Sequence, residues 1–154
     1  MVVFVKDYLP ALAALPIGAI AGLVLTTLAK RGALGGGKLG DWDRWATVPL
    51  LLAAAAAHLA LLPVVEPLRM VLFALYAISV LATVGLAVVG IGIWRMGAIV
   101  LPLGSIAGYF FFAFVVHQAD VVGLLIKLVE VVAMVAALVP LLRDRPARER
   151  WTLS

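Results

Sequence analysis

The chain has 154 residues, of which 66% are hydrophobic and 13% charged, and its mean hydropathy is +1.20. A soluble domain needs a more polar surface than this composition supplies, so the sequence predicts an integral membrane protein. The absence of cysteine excludes disulfides, thiolate metal sites and cysteine nucleophiles, and the net charge of +4 does not indicate nucleic-acid binding, because the basic residues lie at the ends of apolar runs.

The first predicted element is a membrane-spanning helix at 8–29, whose apolar run is longer than the core of a signal peptide. A polar, glycine-rich loop follows at 31–46. The second helix is predicted at 47–65, where Thr47 is a suitable N-cap. This segment is short for a spanning helix, so the alternative is a re-entrant helix, which would leave four spanning helices instead of five.

The apolar character then continues almost unbroken to Ile93, too far for one helix in a bilayer. The two prolines at 63 and 67 predict the necessary turn. The remaining helices are predicted at 67–94, 96–116 and 120–142, followed by a basic tail at 143–154. The predicted fold is therefore all-α, a polytopic bundle of five transmembrane helices that forms a single transmembrane domain over 1–154.

The distribution of basic residues predicts the orientation of the bundle. Nine of the twelve lysines and arginines fall on one side of this topology, whereas only Lys6 and Arg69 fall on the other and Lys127 lies inside a helix. The nine are Lys30, Arg31, Lys38, Arg44, Arg95, Arg143, Arg145, Arg148 and Arg150. The positive-inside rule then places the N-terminus outside and the C-terminus in the cytoplasm, in a multi-pass protein of a bacterial plasma membrane.

Two GxxxG patterns are candidates for close helix packing. Gly18 and Gly22 lie in the first helix, and Gly104 and Gly108 in the fourth. Small residues four positions apart let two helix backbones approach each other, either within the chain or against a partner.

Three polar residues lie where a membrane helix would meet hydrocarbon. Lys127 and Glu130 are three residues apart in the fifth helix, so they share a face and can form an ion pair. Glu130 is roughly 15 Å from the outer end of that helix, too deep for its short side chain to reach water. We therefore expect this face to point into the bundle, toward the second helix and its His58.

Three interpretations of these residues remain open. The first is a structural ion pair, or a hydrogen bond between Glu130 and His58, that fixes how the helices pack. The second is a proton or ion path through Glu130, His58 and Glu66. The third is a haem or divalent-metal site formed by His58 and His117 with Glu66, Asp120 or Glu130. The sequence predicts no cofactor, and haem or a divalent metal remains only as the third interpretation.

The sequence contains none of the common enzyme motifs, and no catalytic residue is predicted. The first functional hypothesis is a non-catalytic subunit or assembly factor of a larger membrane complex, such as a respiratory or photosynthetic one. The second is a small oligomeric transporter or channel with His58 and Glu130 in its path. The third is a haem- or metal-binding redox protein. The expected partners are membrane lipids and other membrane subunits or further copies of the chain.

Overall fold

A computed structural model describes residues 8–32, 34, 39–115 and 120–143. In this part of the chain, five helices are long and apolar enough to cross a membrane. Each spans 22 residues, or roughly 33 Å at 1.5 Å per residue, which matches the thickness of a bilayer's hydrocarbon core. The predicted all-α membrane bundle is confirmed at this level; the predicted orientation of its ends stays a prediction.

The five helices are α1 to α5 in chain order. α1 covers Leu9–Lys30, and α2 covers Val48–Leu61, extended at its start by a π-helical turn, Asp43–Thr47, and at its end by a 3-10 turn, Leu62–Val64. α3, α4 and α5 cover Pro67–Val88, Trp94–Val115 and Val121–Arg143.

The second segment starts earlier than 47–65, because the helical turn that begins at Asp43 is continuous with α2. Thr47 lies inside this turn and its hydroxyl donates to the Asp43 carboxylate over 3.4 Å. Helix and extensions together make a full-length apolar segment, long enough to span a bilayer. The expectation that this segment is short does not hold in the described structure.

α3 ends at Val88, six residues before the predicted position 94, because Gly90 terminates it. Gly90 has φ +81°, and its N–H donates to Ala87 while the N–H of Ile91 donates to Leu86. This pair of hydrogen bonds around a left-handed glycine is the Schellman motif. Arg95, which the predicted bounds leave between two helices, consequently lies in the first turn of α4.

α2 is the central helix of the bundle. It packs against α1, α3 and α5, and α4 packs against α3 and α5 on the outside. The alanine run 53–57 gives α2 a surface of small residues, and four of its alanines are at most 3% exposed: Ala53, Ala54, Ala55 and Ala57. α4, in contrast, buries only Trp94, Ala98 and Pro102 among its 22 residues. Of all five helices, α4 is therefore the least enclosed by this chain.

Candidate functional site

The bundle encloses a cluster of polar side chains. Lys127 and Glu130 of α5 lie at its centre, and polar groups of α2, α3 and α4 surround them. The Lys127 ammonium lies 2.8 Å from Glu130 Oε2, 2.5 Å from Ser105 Oγ and 3.3 Å from His58 Nε2. The Ser105 hydroxyl donates to Glu130 Oε1 over 2.9 Å. The structure thus brings together the predicted residues His58, Lys127 and Glu130 and adds Ser105, from α4, to them.

The hydrogen bonds of this cluster have a consistent direction. His58 Nδ1 lies 2.8 Å from the carbonyl oxygen of Ala54, which can only accept, so Nδ1 carries the hydrogen and Nε2 is an acceptor. Nε2 therefore accepts a hydrogen bond from the Lys127 ammonium. Because the ring is neutral, the 3.6 Å distance between Nε2 and Glu130 Oε1 is not an ion pair. All three ammonium hydrogens have an acceptor, and Lys127 with Glu130 is neutral as a pair.

The cluster is shielded from its surroundings. Glu130 is 0%, His58 2% and Lys127 7% exposed. The His58 ring makes an edge contact with Phe73 and a tilted contact with Tyr76 at 4.4 Å between centroids. The Tyr76 hydroxyl interacts electrostatically with Glu130, although it has no hydrogen bond of good geometry within the described residues. Charges this well enclosed by apolar groups are stable only as long as they are paired.

A cavity of about 470 Å³ leads from one end of the bundle to this cluster. Arg69 and Asp120, at the first turns of α3 and α5, line its outer part, and His58, Ser105 and Lys127 line its floor. Asp120 and Lys127 are seven residues apart on α5, so the floor lies roughly 10 Å below the end of that helix. We call this the cavity end of the bundle. Such a volume is typical of small-molecule pockets, which hold about 300–1,000 Å³.

The cavity exists because α3 and α4 diverge as they approach the cavity end. Near their connecting turn the two helices touch: a Cβ on Gly97 would lie 2.4 Å from the Thr83 hydroxyl. Farther along α4, a Cβ on Gly104 or Gly108 would meet nothing within 4 Å. The cavity-lining residues Leu75 and Val100 are 56% and 55% exposed on the bundle surface. The cavity is therefore open sideways, between α3 and α4.

The two GxxxG patterns have different surroundings. A Cβ on Gly18 would lie 2.4 Å from the backbone oxygen of Leu52, and one on Gly22 would lie 2.5 Å from Pro49 Cα. These two glycines let α1 lie directly against the backbone of α2. A Cβ on Gly104 or Gly108 would have open space around it, and both glycines line the cavity.

A second buried ion pair lies at the opposite end of the bundle. Arg95 Nη2 is 2.7 Å from Asp43 Oδ2, and Arg95 Nη1 also donates to the carbonyl oxygen of Ala137 over 3.3 Å. Asp43 is 1% exposed. The pair joins the start of α2, the start of α4 and the last turns of α5, so it closes the bundle at the end away from the cavity.

We expect Asp43→Asn to lower the free energy of unfolding by about 1.5–3 kcal/mol, because it removes a charged hydrogen-bond acceptor from a nearly buried pair. The measurement is thermal or denaturant unfolding of the purified protein in detergent. Asp41→Asn is the matched control, since Asp41 pairs with Arg44 but its side chain is 85% exposed, and surface pairs contribute little. Equal effects of the two substitutions would contradict a closing role for Asp43.

Not all predicted site residues join the cluster. Asp120 lies at the cavity mouth, where its backbone oxygen accepts a hydrogen bond from Tyr109 over 2.9 Å. Glu66 is exposed at the start of α3, and His117 lies outside the described residues. Within the described ranges, no three His, Asp or Glu side chains are grouped so that they could hold a metal ion. Both nitrogens of His58 are already used, one by Ala54 and one by Lys127.

Sequence reasoning missed three members of these sites. Ser105 and Tyr76 are not among the predicted site residues, and Asp43 falls in the predicted polar loop at 31–46. The available signal for Ser105 was its place between Gly104 and Gly108, where a small-residue face leaves room for a long side chain from another helix. For Asp43 the signal was its position at the beginning of the apolar segment that extends to Val64.

The contact between Ser105 and Lys127 does not make a nucleophile and its base. A lysine that activates a serine must have a free lone pair, whereas Lys127 donates to Ser105 and to Glu130. Ser105 in turn donates to Glu130. The arrangement is suited to keeping an ammonium and a carboxylate ionised and paired inside an apolar bundle.

Comparison with known proteins gives no match to this chain: no family model, no curated protein and no solved structure is significantly similar to it. Its class as a helical membrane protein therefore follows from the five apolar helices alone.

Proposed function

We propose that this chain is a small membrane transporter that moves a solute through the cavity and uses Glu130 to carry a proton. The observation that supports this function is the asymmetry of the bundle. A cavity reaches the polar cluster from one end, and an ion pair closes the other end. A binding site that is open to one side and closed to the other is what transport by alternating access requires.

A proton route from the cavity to Glu130 passes through Ser105. Glu130 is fully buried and does not line the cavity, whereas Ser105 does. The Ser105 hydroxyl is hydrogen-bonded to Glu130 and can accept a proton from cavity water as it passes its own proton on. Ionisable groups inside a membrane bundle frequently belong to such relays.

A dry layer separates the two charged sites. Glu130 and Ala137, whose oxygen binds Arg95, are seven residues or roughly 10 Å apart on α5. Leu51, Val80 and Ala133 are fully buried and belong to the same apolar cluster as Ala137. Transport would require this layer and the Asp43–Arg95 pair to open while the α3–α4 gap closes. With the predicted orientation, the cavity end faces outward and the closed end faces the cytoplasm.

Cysteine accessibility tests this proposal without knowledge of the solute, because the natural chain has no cysteine. Ser79 and Thr83 are one turn apart on α3, and only Ser79 lines the cavity. We expect Ser79→Cys, in proteoliposomes, to react with a membrane-impermeant thiol reagent added from the cavity side. Thr83→Cys should remain unreactive from both sides, since Thr83 is 6% exposed and packed against Gly97.

The same experiment tests closure at the other end. Adding Asp43→Asn to Thr83→Cys should make the thiol reactive from the side opposite the cavity, whereas adding Asp41→Asn should not. The transporter proposal fails if Ser79→Cys is unreactive from both sides, or if Asp43→Asn leaves Thr83→Cys protected. Reaction of Thr83→Cys from the cavity side in the unmodified background would also contradict it.

A second candidate function, a subunit of a larger membrane complex, is favoured by the low burial of α4. Phe110, Phe111 and Phe114 are between 44% and 74% exposed on this helix, and such a surface suits another protein as well as lipid. Gentle solubilisation followed by mass spectrometry separates the two functions. Stoichiometric copurification of other proteins supports the subunit, and a protein isolated alone or with copies of itself supports the transporter.

A further inference from the structure

We infer that the cavity binds an organic monoanion with an apolar body, that the anionic group pairs with Lys127, and that Glu130 takes up one proton when the anion binds. This inference rests on the proposed transport function, because it names the class of solute and the coupling step. The ligand is defined by its chemistry: one negative charge at one end of a hydrophobic molecule.

The charge on the cavity surface favours an anion. Among the residues that the structure describes, three of those lining the cavity carry formal charge: Arg69 and Lys127 are positive and Asp120 is negative, an excess of one positive charge. Glu130 balances Lys127 from behind, but it is 0% exposed and is not part of the lining. A ligand therefore meets the ammonium without meeting its carboxylate partner. Glu130 offsets much of the attraction between the ammonium and an anion as long as it is ionised, so anion binding is strong only when Glu130 is neutral.

The rest of the cavity favours an apolar body. Its walls include Phe73, Tyr76, Tyr109 and Phe112, together with aliphatic side chains such as Leu72 and Ile126. The Arg69 guanidinium lies over the Phe112 ring at 4.6 Å, which holds its charge at the mouth. The sideways opening between α3 and α4 faces the region that lipid tails occupy in a membrane. An amphiphile dissolved in the bilayer can therefore enter with its charged group directed at the floor.

Anion binding disturbs the balance of the cluster. The three hydrogens of Lys127 are already donated to Ser105, Glu130 and His58, so an anion must take the place of one acceptor. If the anion replaces Glu130, a carboxylate is left without a counter-charge in an apolar interior, which is strongly unfavourable. A proton from cavity water, bound to Glu130 as a carboxylic acid, removes that charge.

The groups that face Glu130 make it the proton acceptor. They are Lys127 on α5, His58 on α2, Tyr76 on α3 and Ser105 on α4. Lys127 is already an ammonium, and Tyr76 and Ser105 are neutral donors. A proton on His58 would place a second cation 3.3 Å from Lys127. The net result is one anion and one proton bound together, with the cluster neutral before and after.

The test uses the full-length protein in phosphatidylcholine nanodiscs and naphthalene-2-sulfonate, an anion that stays charged at all relevant pH values. Isothermal titration gives its affinity, and repetition in buffers of different ionisation enthalpy gives the protons taken up per anion. We expect binding with uptake of one proton. The neutral naphthalene-2-methanol and the cationic 2-naphthylmethylammonium should bind at least about tenfold more weakly, equivalent to 1.4 kcal/mol.

Two substitutions separate charge pairing from proton uptake. Glu130→Gln should bind the anion more tightly than the natural protein, because no carboxylate competes for Lys127, and should take up no proton. Lys127 lines the cavity, so its ammonium can turn toward the ligand and the variant should remain folded. His58→Gln should keep the proton uptake. Uptake that persists in Glu130→Gln, or that disappears only in His58→Gln, overturns the role of Glu130.

A cavity-filling substitution localises the ligand. Gly108→Leu adds a side chain where the structure has open space, so it should abolish binding without disturbing the fold. Gly85→Leu, an exposed position on α3 that also has nothing within 4 Å, is the matched control and should bind normally. Equal affinities of the anion, the alcohol and the ammonium, or normal binding by Gly108→Leu, would overturn the inference.

Replacing part of the phosphatidylcholine with phosphatidylglycerol distinguishes two sources of the anion. Competition by phosphatidylglycerol supports an anionic lipid as the ligand, and undiminished binding supports a free organic anion; both belong to the inferred class. The cysteine accessibility experiment does not depend on any ligand. If the anion fails to bind while the accessibility still switches sides, only the inferred solute class is wrong.

Discussion

Lys127→Met alone is expected to lower the free energy of unfolding by about 3–5 kcal/mol, the usual effect of removing one partner of a buried ion pair. Methionine keeps the length and apolar stem of lysine, so little packing is lost. What remains is the Glu130 carboxylate, 0% exposed, with its counter-charge gone. Thermal unfolding in detergent, followed by circular dichroism, is the measurement.

The double substitution Lys127→Met with Glu130→Gln is the control for that effect. It removes both charges and leaves an amide that can still accept a hydrogen bond from Ser105. Uncharged replacements of a whole ion pair are often neutral or stabilising, so the double variant should regain most of the lost stability. A double variant as unstable as Lys127→Met would mean that Lys127 contributes through packing and not through charge.

The substitution of alanine for both Gly18 and Gly22 should also have a large effect on stability. Each new Cβ would lie 2.5 Å or less from a backbone atom of α2, at Leu52 or Pro49, and backbone atoms cannot rotate away. α1 must therefore move off α2, at a cost of about 1–3 kcal/mol for each position. The unfolding temperature in detergent should fall accordingly.

The matched control for this pair is alanine at Gly104 and Gly108, which have the same spacing but open space around each Cβ. Alanine is also a better helix former than glycine, by about 0.8–1.0 kcal/mol for each residue. This control should therefore be as stable as the natural protein or more so. A similar loss from both pairs would show that the α1–α2 approach does not govern the result.

Much of the fold follows from the sequence because a bilayer imposes strong constraints. Five apolar segments of spanning length predict five helices. The cost of an unpaired charge in hydrocarbon directs Lys127 and Glu130 inward. The meeting of this pair with His58 could be anticipated, because few other polar groups lie at the same depth.

The remaining features depend on contacts between distant segments, which a single sequence does not encode visibly. Asp43 and Arg95 are 52 residues apart, and each resembles an ordinary residue at a membrane interface until the other is placed beside it. The two GxxxG patterns are equivalent as sequence, yet one meets the backbone of α2 and the other meets empty space. Only the positions of the neighbouring helices distinguish a packing face from a cavity wall.

The end of α3, in contrast, could have been predicted from the sequence, because neighbouring residues determine it. Val89, Gly90, Ile91 and Gly92 interrupt an apolar run with two glycines. Glycine just past the last helical residue is a common helix terminator. The prediction extended α3 to position 94 because hydropathy, which does not distinguish a helix from an apolar turn, was followed through these residues.

The divergence of α3 and α4 also has a mechanical consequence. The two helices are joined at the Gly90 turn and touch at Gly97 and Thr83, near one end of the bundle. Each helix extends roughly 30 Å from this contact. A rotation of about 5° at the contact displaces the far end of a helix by roughly 2.6 Å, given that length. A small rotation of α3 against α4 at this contact, which lies close to Asp43 and Arg95, would therefore produce a larger displacement at the mouth of the cavity.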